Sequence, residues 1–514
     1  MRTLVSLVLL TAAGGSWTVT KLPITLLTGE ANRKPLPATV LGGAAVFDYD
    51  RDGLLDIFLP NGADLPSAQK STPNQSNRLF RNLGNFRFQD VTESAQVQGT
   101  GYDFGAAVAD FDGDGDLDLF VPGLRSVTLY RNEGDGRFRD ITKESGIDNK
   151  GRWAVAAVWF DLENDGDQDL FVVNYVHWDA AAERVCMVGG KPDFCHPRNY
   201  EPEPNSLFRN DGNGRFTDVS DASGVSAHKG KGMSATAADF DGDGRIDLFV
   251  TNDRVFAQYF RNRGDGRFEE VALDQGLAAP EHGAPVSGMG VDAQDYDNDG
   301  RMDLVYTALK DETFPLYRNT PKGFIETTSR SKLGLLTRPL PGWGVAFADL
   351  DNDGWKDLVV ASSDALSPVG ALGEAAKNQP AWFRNLGDGT WSREAAWSAM
   401  PRAMYRAAVP ADFNNDGCLD VLFTALHQEP TVWRNPCTSG NHWLFVERAR
   451  NVRRVRVGTQ WRESASTAVG YSSSYAGPLH FGLGKETSVE VELMPATGGS
   501  QISKRGVDGF VKVP

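Results

Sequence analysis

Apolar and polar positions along this chain alternate in short bursts that recur. A run of small residues such as "GAAVA" (105–109) enters a polar stretch of nine and leaves it in an apolar run, "LFV" (119–121). After an interval comes an alternating segment, "LYRNEGDGRFRDIT" from 129, bent at its Gly/Asp cluster. Period-two alternation around such a bend predicts a hairpin. One unit therefore reads as strand A, polar loop, strand B, connection, strand C, tight turn and strand D.

The unit recurs. Relatives of "DFDGDGDLDLFV" (from Asp110) start at Asp48, Asp161, Asp239, Asp295, Asp349 and Asp412, with successive separations of 62, 51, 78, 56, 54 and 63 residues. The hairpin signature follows the first six copies, at 79, 129, 207, 259, 316 and 382, and shrinks to "VWRN" at 432 after the seventh. Four strands cannot close a core alone, but stacking the units around an axis buries all of them. The pattern predicts an all-β fold, a seven-bladed β-propeller over 18–436, followed by a small β-rich domain over 437–514. The last unit lacks its D strand, and residues 22 to 28 are expected to supply it from the N-terminal side and cover the open edge.

The polar loop has a definite chemistry, D-x-[DEN]-x-D-G-x-x-D. Oxygens at positions 1, 3, 5 and 9 converge when the chain wraps tightly, and glycine at position 6 permits the turn. That suits calcium, a hard cation taking 6 to 8 oxygen ligands. The expected ligands are Asp48, Asp50, Asp52 and Asp56; Asp110, Asp112, Asp114 and Asp118; Asp161, Glu163, Asp165 and Asp169; and Asp239, Asp241, Asp243 and Asp247. The last three loops supply Asp295, Asp297, Asp299 and Asp303; Asp349, Asp351, Asp353 and Asp357; and Asp412, Asn414, Asp416 and Asp420. Position 12 is apolar in all seven copies, which excludes an EF-hand. Up to seven Ca²⁺ are implied, and seven divalent ions add +14 to the formal charge of −16, leaving −2. An acidic surface of this size argues against nucleic acid as a partner.

The chain opens on "MRTLVSLVLLTAAGGSW", a basic residue, a short apolar run and small residues, the form of a signal peptide over 1–17. No later segment is apolar enough to span a bilayer. A secreted, extracellular protein is expected, or a periplasmic one in a bacterium. Four cysteines in an exported chain suggest two disulfides, most simply Cys186 with Cys195 and Cys418 with Cys437. A zinc set of Cys186, Cys195, His196 and His177 is the alternative, although the nine-residue spacing matches no common zinc knuckle.

The segment "DFGAAVADFDGDGDLDLFV" and its relatives resemble the FG-GAP/VCBS repeats, the calcium-loop propeller also used by integrin α-chain heads. "NHWL" (441–444) and "FGLG" (481–484) are similar to the ASPIC/UnbV module that follows such propellers in secreted proteins related to cartilage acidic protein. Where that module has a glycine- and asparagine-rich stretch, this chain has "RARNVRRVRV" (448–457). The resemblance implies a binding or cell-adhesion module with structural calcium. No catalytic residue stands out, so no enzyme activity is expected; the alternative is a polysaccharide lyase built on a calcium propeller.

Propeller topology puts the calcium loops and the C–D turns on one face and the long insertions, notably 174–206, on the other. A protein or glycan ligand is expected on that second face, with Trp153, Trp178, Tyr200 and Trp343 as its candidate contacts. The oligomeric state is left open.

Overall fold

The computed structural model describes residues 7–9, 17–29, 34–364, 376–450, 452–495 and 499–513. Seven sheets carry the seven acidic loops, and in six of them the strands A, B, C and D are hydrogen-bonded in chain order. In the second blade these are Ala107–Ala109, Asp118–Pro122, Val127–Asn132 and Phe138–Asp140. Strand B is buried along its whole length there, and again in Asp169–Asn174 and Asp247–Asn252. The reason is packing: neighbouring blades cover both faces of a sheet. Ala107, Phe120 and Leu129 of one blade share a core with Ala157, Leu170 and Phe208 of the next. The fold is an all-β propeller.

The chain closes the ring on itself four residues earlier than expected. Thr18–Lys21 pairs antiparallel with Thr431–Arg434, Thr18 opposite Arg434, and completes the last blade. Residues 22–28, the expected strand, run onward instead, touching that blade through the Leu22 amide on the Pro430 carbonyl and a bridge from Leu26 to Leu426. Pro23 explains the shift, since it has no N–H to offer a ladder. Leu7–Leu9 pairs on the outer side of Thr18–Lys21.

The C-terminal region forms two further sheets. One holds Leu479–Gly484, His442–Val446 and Gly509–Val511; the other holds Gln460–Glu463, Val452–Val457, Ser488–Pro495 and Gln501–Gly506. They enclose a core of their own that includes Leu444, Val455, Phe481 and Val491.

Between these sheets, residues 467–476 leave the module and enter the axis of the propeller. Ser473–Tyr475 runs parallel to Ala45–Phe47 of the first blade. The Ala106 amide donates to the Ser472 carbonyl, and Ser234 Oγ to the Gly470 carbonyl. The Val291 amide also donates to Gly470. Tyr471 is fully buried: its ring meets Trp343 edge-on at 5.0 Å and its hydroxyl donates to the Val40 carbonyl at 2.6 Å. The small residues at the start of strand A make this possible. A Cβ on Gly43 would lie 2.1 Å from the Ser472 carbonyl oxygen, and one on Gly105 would lie 1.8 Å from Ser472 Oγ.

A second device locks blade to blade. The asparagine ending each strand C donates from Nδ2 to a main-chain carbonyl of the preceding blade's acidic loop. Asn132 reaches Tyr49, Asn210 reaches Phe111, Asn262 reaches Leu162, and Asn319 reaches Phe240. Asn385 reaches Tyr296, Asn435 reaches Leu350, and Asn82 reaches Phe413 from the first blade to the last. The circle is complete. Asn210 also donates to the Gln168 carbonyl and accepts from the Gly212 amide. Asn210→Ala is expected to cost about 2–3 kcal/mol, because one buried and one partly buried carbonyl lose a donor. Urea unfolding curves read this directly; a loss under about 0.5 kcal/mol would contradict the lock.

Candidate metal centre

The seven loops share one geometry. The position-1 aspartate accepts the amide of the position-6 glycine in every copy, at distances from 2.7 Å at Asp412 to 3.1 Å at Asp295. Those glycines all have φ between +84° and +95°, a region closed to most side chains. The position-5 aspartate accepts the amide at position 7, again in all seven. Side chains at 1 and 5 are thus pinned by the loop's own backbone before any ligand arrives.

Position 9 lies deepest. Asp56, Asp118, Asp169, Asp247, Asp303, Asp357 and Asp420 are all buried. Each takes the main-chain amide of its strand-C asparagine on Oδ1. In six loops Oδ2 takes the position-2 amide; in the sixth blade Asp357 takes Trp382 Nε1 instead. These aspartates therefore tie strand C to the loop as well as facing its centre. Burial, with the neighbouring loop carboxylates adding to it, pushes Asp118 up to about 9 and Asp56 to about 8. A charged carboxylate is costly in such a place unless a cation sits beside it.

The chemistry of the set points to a cation. Carboxylate oxygens from Asp48, Asp50 and Asp56 lie within 4.8 Å of one another, as do those of Asp110, Asp112 and Asp118. The same holds for Asp239, Asp241 and Asp243, and for Asp295, Asp297 and Asp299. Buried oxygens with no hydrogen-bond partner recur at position 3: Oδ1 of Asp50, Asp112, Asp297, Asp351 and Asn414. In the fourth blade the orphan is Asp239 Oδ1, at position 1. Acceptor-only atoms left unpaired at position 3 in five loops, and at position 1 in a sixth, fit a hard divalent ion. The third loop carries Glu163 at position 3, and in the seventh Asn414 Nδ2 donates to Asp416.

Two features of the site lie outside the acidic motif. The arginine preceding each strand-C asparagine reaches the loop in several blades: Arg81 pairs with Asp50 at 2.6 Å and with Asp52 at 2.9 Å. Arg318 pairs with Asp297 and Asp299, and Arg384 with Asp351 and Asp353. The module also sits on this face, with Arg453 paired to Asp239 at 2.5 Å and the Asp239 amide donating to Glu463.

Repeats of the FG-GAP-like type match residues 48–121, 123–172, 190–250, 239–306, 295–360 and 370–423. The chain belongs to the FG-GAP-like repeat family. Cartilage acidic protein 1 of Homo sapiens is 23% identical over 65% of this FG-GAP-like chain and 49% of its own length, so the match spans about half of that relative. The Mus musculus protein of the same name is 23% identical over 89% of the chain and 70% of its own length. Among solved structures, YCF48 bound to D1 peptide aligns at 9% identity and a TM-score of 0.45, covering 81% of this chain and 94% of that one. A lectin of Agrocybe aegerita that recognises non-reducing terminal N-acetylglucosamine aligns at 17% identity and a TM-score of 0.42, covering 77% and 91%.

The cysteines of this FG-GAP-like chain pair as expected, Cys186 with Cys195 and Cys418 with Cys437, so the alternative zinc set is not formed. The ligand-face aromatics do not behave as expected. Trp153, Trp178 and Trp343 are 2%, 6% and 1% exposed, and so present no surface to a ligand. Trp153 packs on Phe104 and Tyr175, Trp178 lies under Arg125, and Trp343 lies under Arg406 at 3.8 Å. Tyr200 is partly buried, its hydroxyl on Glu183. The insertions and the turn Leu36–Thr39 fold over this end of the axis and take the aromatics inside, as Tyr102 donating to the Thr28 and Pro37 carbonyls illustrates.

Proposed function

We propose that the chain is an exported binding module whose seven acidic loops each hold a structural Ca²⁺, and that the face opposite those loops engages a protein. The observation that carries the metal is the set of buried, unpartnered loop oxygens, at position 3 in five blades and at position 1 in a sixth. Asp, Glu and Asn oxygens at positions 1, 3, 5 and 9 would hold the ion. Bound calcium neutralises the carboxylates there and fixes the strand A to strand B crossover.

Export is supported by the leader-like first residues and the two disulfides. No helix among the described residues is long and apolar enough to cross a membrane. The surface reading rests on exposed apolar side chains in the B–C connections of adjacent blades. Val185 is 48% exposed, Met187 56% and Phe256 53%. Aliphatic and aromatic groups left in water suit a protein surface better than a hydroxyl-rich glycan.

Equilibrium dialysis against labelled calcium, followed by metal analysis, tests the first part. About seven ions per chain are expected, following the loop count; a chain that retains none after saturation at millimolar calcium refutes the assignment. Release of unsaturated products from acidic polysaccharides would replace the binding reading with a lyase.

A further inference from the structure

The acidic loops are also linked to one another, through position 4. Where that residue is asparagine, its Nδ2 donates to the carbonyl of the position-6 glycine in the next loop. Asn164 reaches Gly244, Asn298 reaches Gly354, Asn352 reaches Gly417 and Asn415 reaches Gly53, at 3.0 to 3.1 Å. In the first loop the residue is Arg51, which donates to the Asp114 carbonyl of the second and pairs with Asp116. Five of the seven junctions are bridged in this way.

The other two cannot be, because position 4 is Gly113 in the second loop and Gly242 in the fourth. Both receiving carbonyls are nevertheless bonded. Arg450 Nε donates to the Gly166 carbonyl, its Nη2 pairing with Asp167 at 2.7 Å. Arg454 Nη2 donates to the Gly300 carbonyl at 2.6 Å. Both arginines belong to the C-terminal module. A Cβ placed on Gly113 would lie 2.4 Å from Arg450 Nη1, so the guanidinium occupies the space that an asparagine side chain would need. Arg454 is held by the ring of Trp461 at 4.6 Å and by Glu463 at 3.7 Å.

We propose that Arg450 and Arg454 are positioning residues for the loops of the third and fifth blades, standing in for the asparagines that the second and fourth loops lack. The propeller is thus short of two inter-loop donors, and the module carries them at the matching places. The inference deepens the calcium reading and, for its metal-linked part, rests on it: the position-6 turn orients its own position-1 carboxylate, so a loosened glycine carbonyl loosens a ligand. Calcium at these two sites and docking of Arg450 and Arg454 are then coupled, each favouring the other.

The test is a rescue. Gly113 and Gly242 have φ of +76° and +75°, and the position-4 asparagines stand at +58° to +60°, so asparagine fits either place. In the full-length protein, Arg450→Ala and Arg454→Ala are each expected to speed hydrogen exchange in the next loop, 161–167 or 295–301. Each also weakens calcium binding at one site about tenfold, the scale of one charge-assisted hydrogen bond. Adding Gly113→Asn to Arg450→Ala, or Gly242→Asn to Arg454→Ala, restores both readouts. Arg456→Ala, which loses pairs with Glu490 and Glu492, a bond to the Gly458 carbonyl and a contact with the Trp461 ring, all inside the module, removes the same charge and gains nothing from either asparagine.

Gly113→Asn alone sets its new Cβ 2.4 Å from Arg450 Nη1 and is expected to destabilise the protein, whereas on the Arg450→Ala background the same substitution stabilises it. Additive effects of Gly113→Asn and Arg450→Ala would overturn the substitution. Exchange measured in chelator separates the two layers. Rescue there with no calcium bound at any concentration keeps the arginine role and removes the metal reading. Calcium binding that ignores both arginines removes the coupling.

Discussion

Tyr471→Ala is expected to destabilise the protein by about 4 kcal/mol, the cost of truncating a buried aromatic plus the hydrogen bond of its hydroxyl. Tyr471 fills the axis where the blades converge, packed on Trp343 and bonded to Val40. The asparagine locks tie the loops that follow the A strands from blade to blade, which resists collapse into the vacated space. Tyr471→Phe keeps the ring and loses only the hydroxyl, so it should cost about 1 kcal/mol. Denaturant unfolding of the two variants separates packing from hydrogen bonding. Equal effects would mean that the ring is not the anchoring element. The loss should fall on propeller and module together, since residues 467–476 belong to both.

Calcium removal is expected to have the larger effect. Seven sites with dissociation constants of roughly 10⁻⁴ to 10⁻³ M each contribute about 0.7–1.8 kcal/mol at about 2 mM calcium, provided the unfolded chain does not bind. Together that is about 5–13 kcal/mol, a fall in Tm on the order of 10 °C for a chain of this size. The physical source is visible in the position-9 aspartates, buried acids met otherwise by two N–H donors each. Differential scanning calorimetry with and without chelator reads it. A single unchanged transition would show that the backbone donors around the loops suffice without metal.

Much of this was legible in the sequence. The repeat of D-x-[DEN]-x-D-G-x-x-D, leading each time into an apolar run with no ligand at position 12, dictated the number and order of the sheets, because such a loop returns the chain as the neighbouring antiparallel strand. The asparagine lock was also written there, as the "RN" of every hairpin signature down to "VWRN" at 432. It reads as ordinary turn chemistry until the preceding blade is in place, since the carbonyl it meets lies 331 residues away in the case of Asn82.

The same distance hid the meaning of "RARNVRRVRV". Arg450 meets Gly166 across 284 positions, and no local pattern announces that. The buried tryptophans failed differently. Trp343 sits at a strand edge in sequence, and only the closure of the ring and the entry of Tyr471 turn that edge into interior. Glycines 43 and 105 were visible as small residues, but the segment they make room for comes from the far end of the chain.

Thr18–Lys21 pairing with Thr431–Arg434 has a consequence for how the protein is made. This N-terminal strand leaves the ribosome long before its partner exists, and the axial segment at 467–476 comes later still. Contacts of such sequence separation make for slow folding. Until then the last sheet has an open edge and the axis is empty, so an incomplete chain exposes both a strand template and an apolar bore. Translation arrested anywhere before residue 476 therefore yields a product prone to aggregation rather than a smaller propeller. The cell has to shield this chain for nearly the whole of its synthesis.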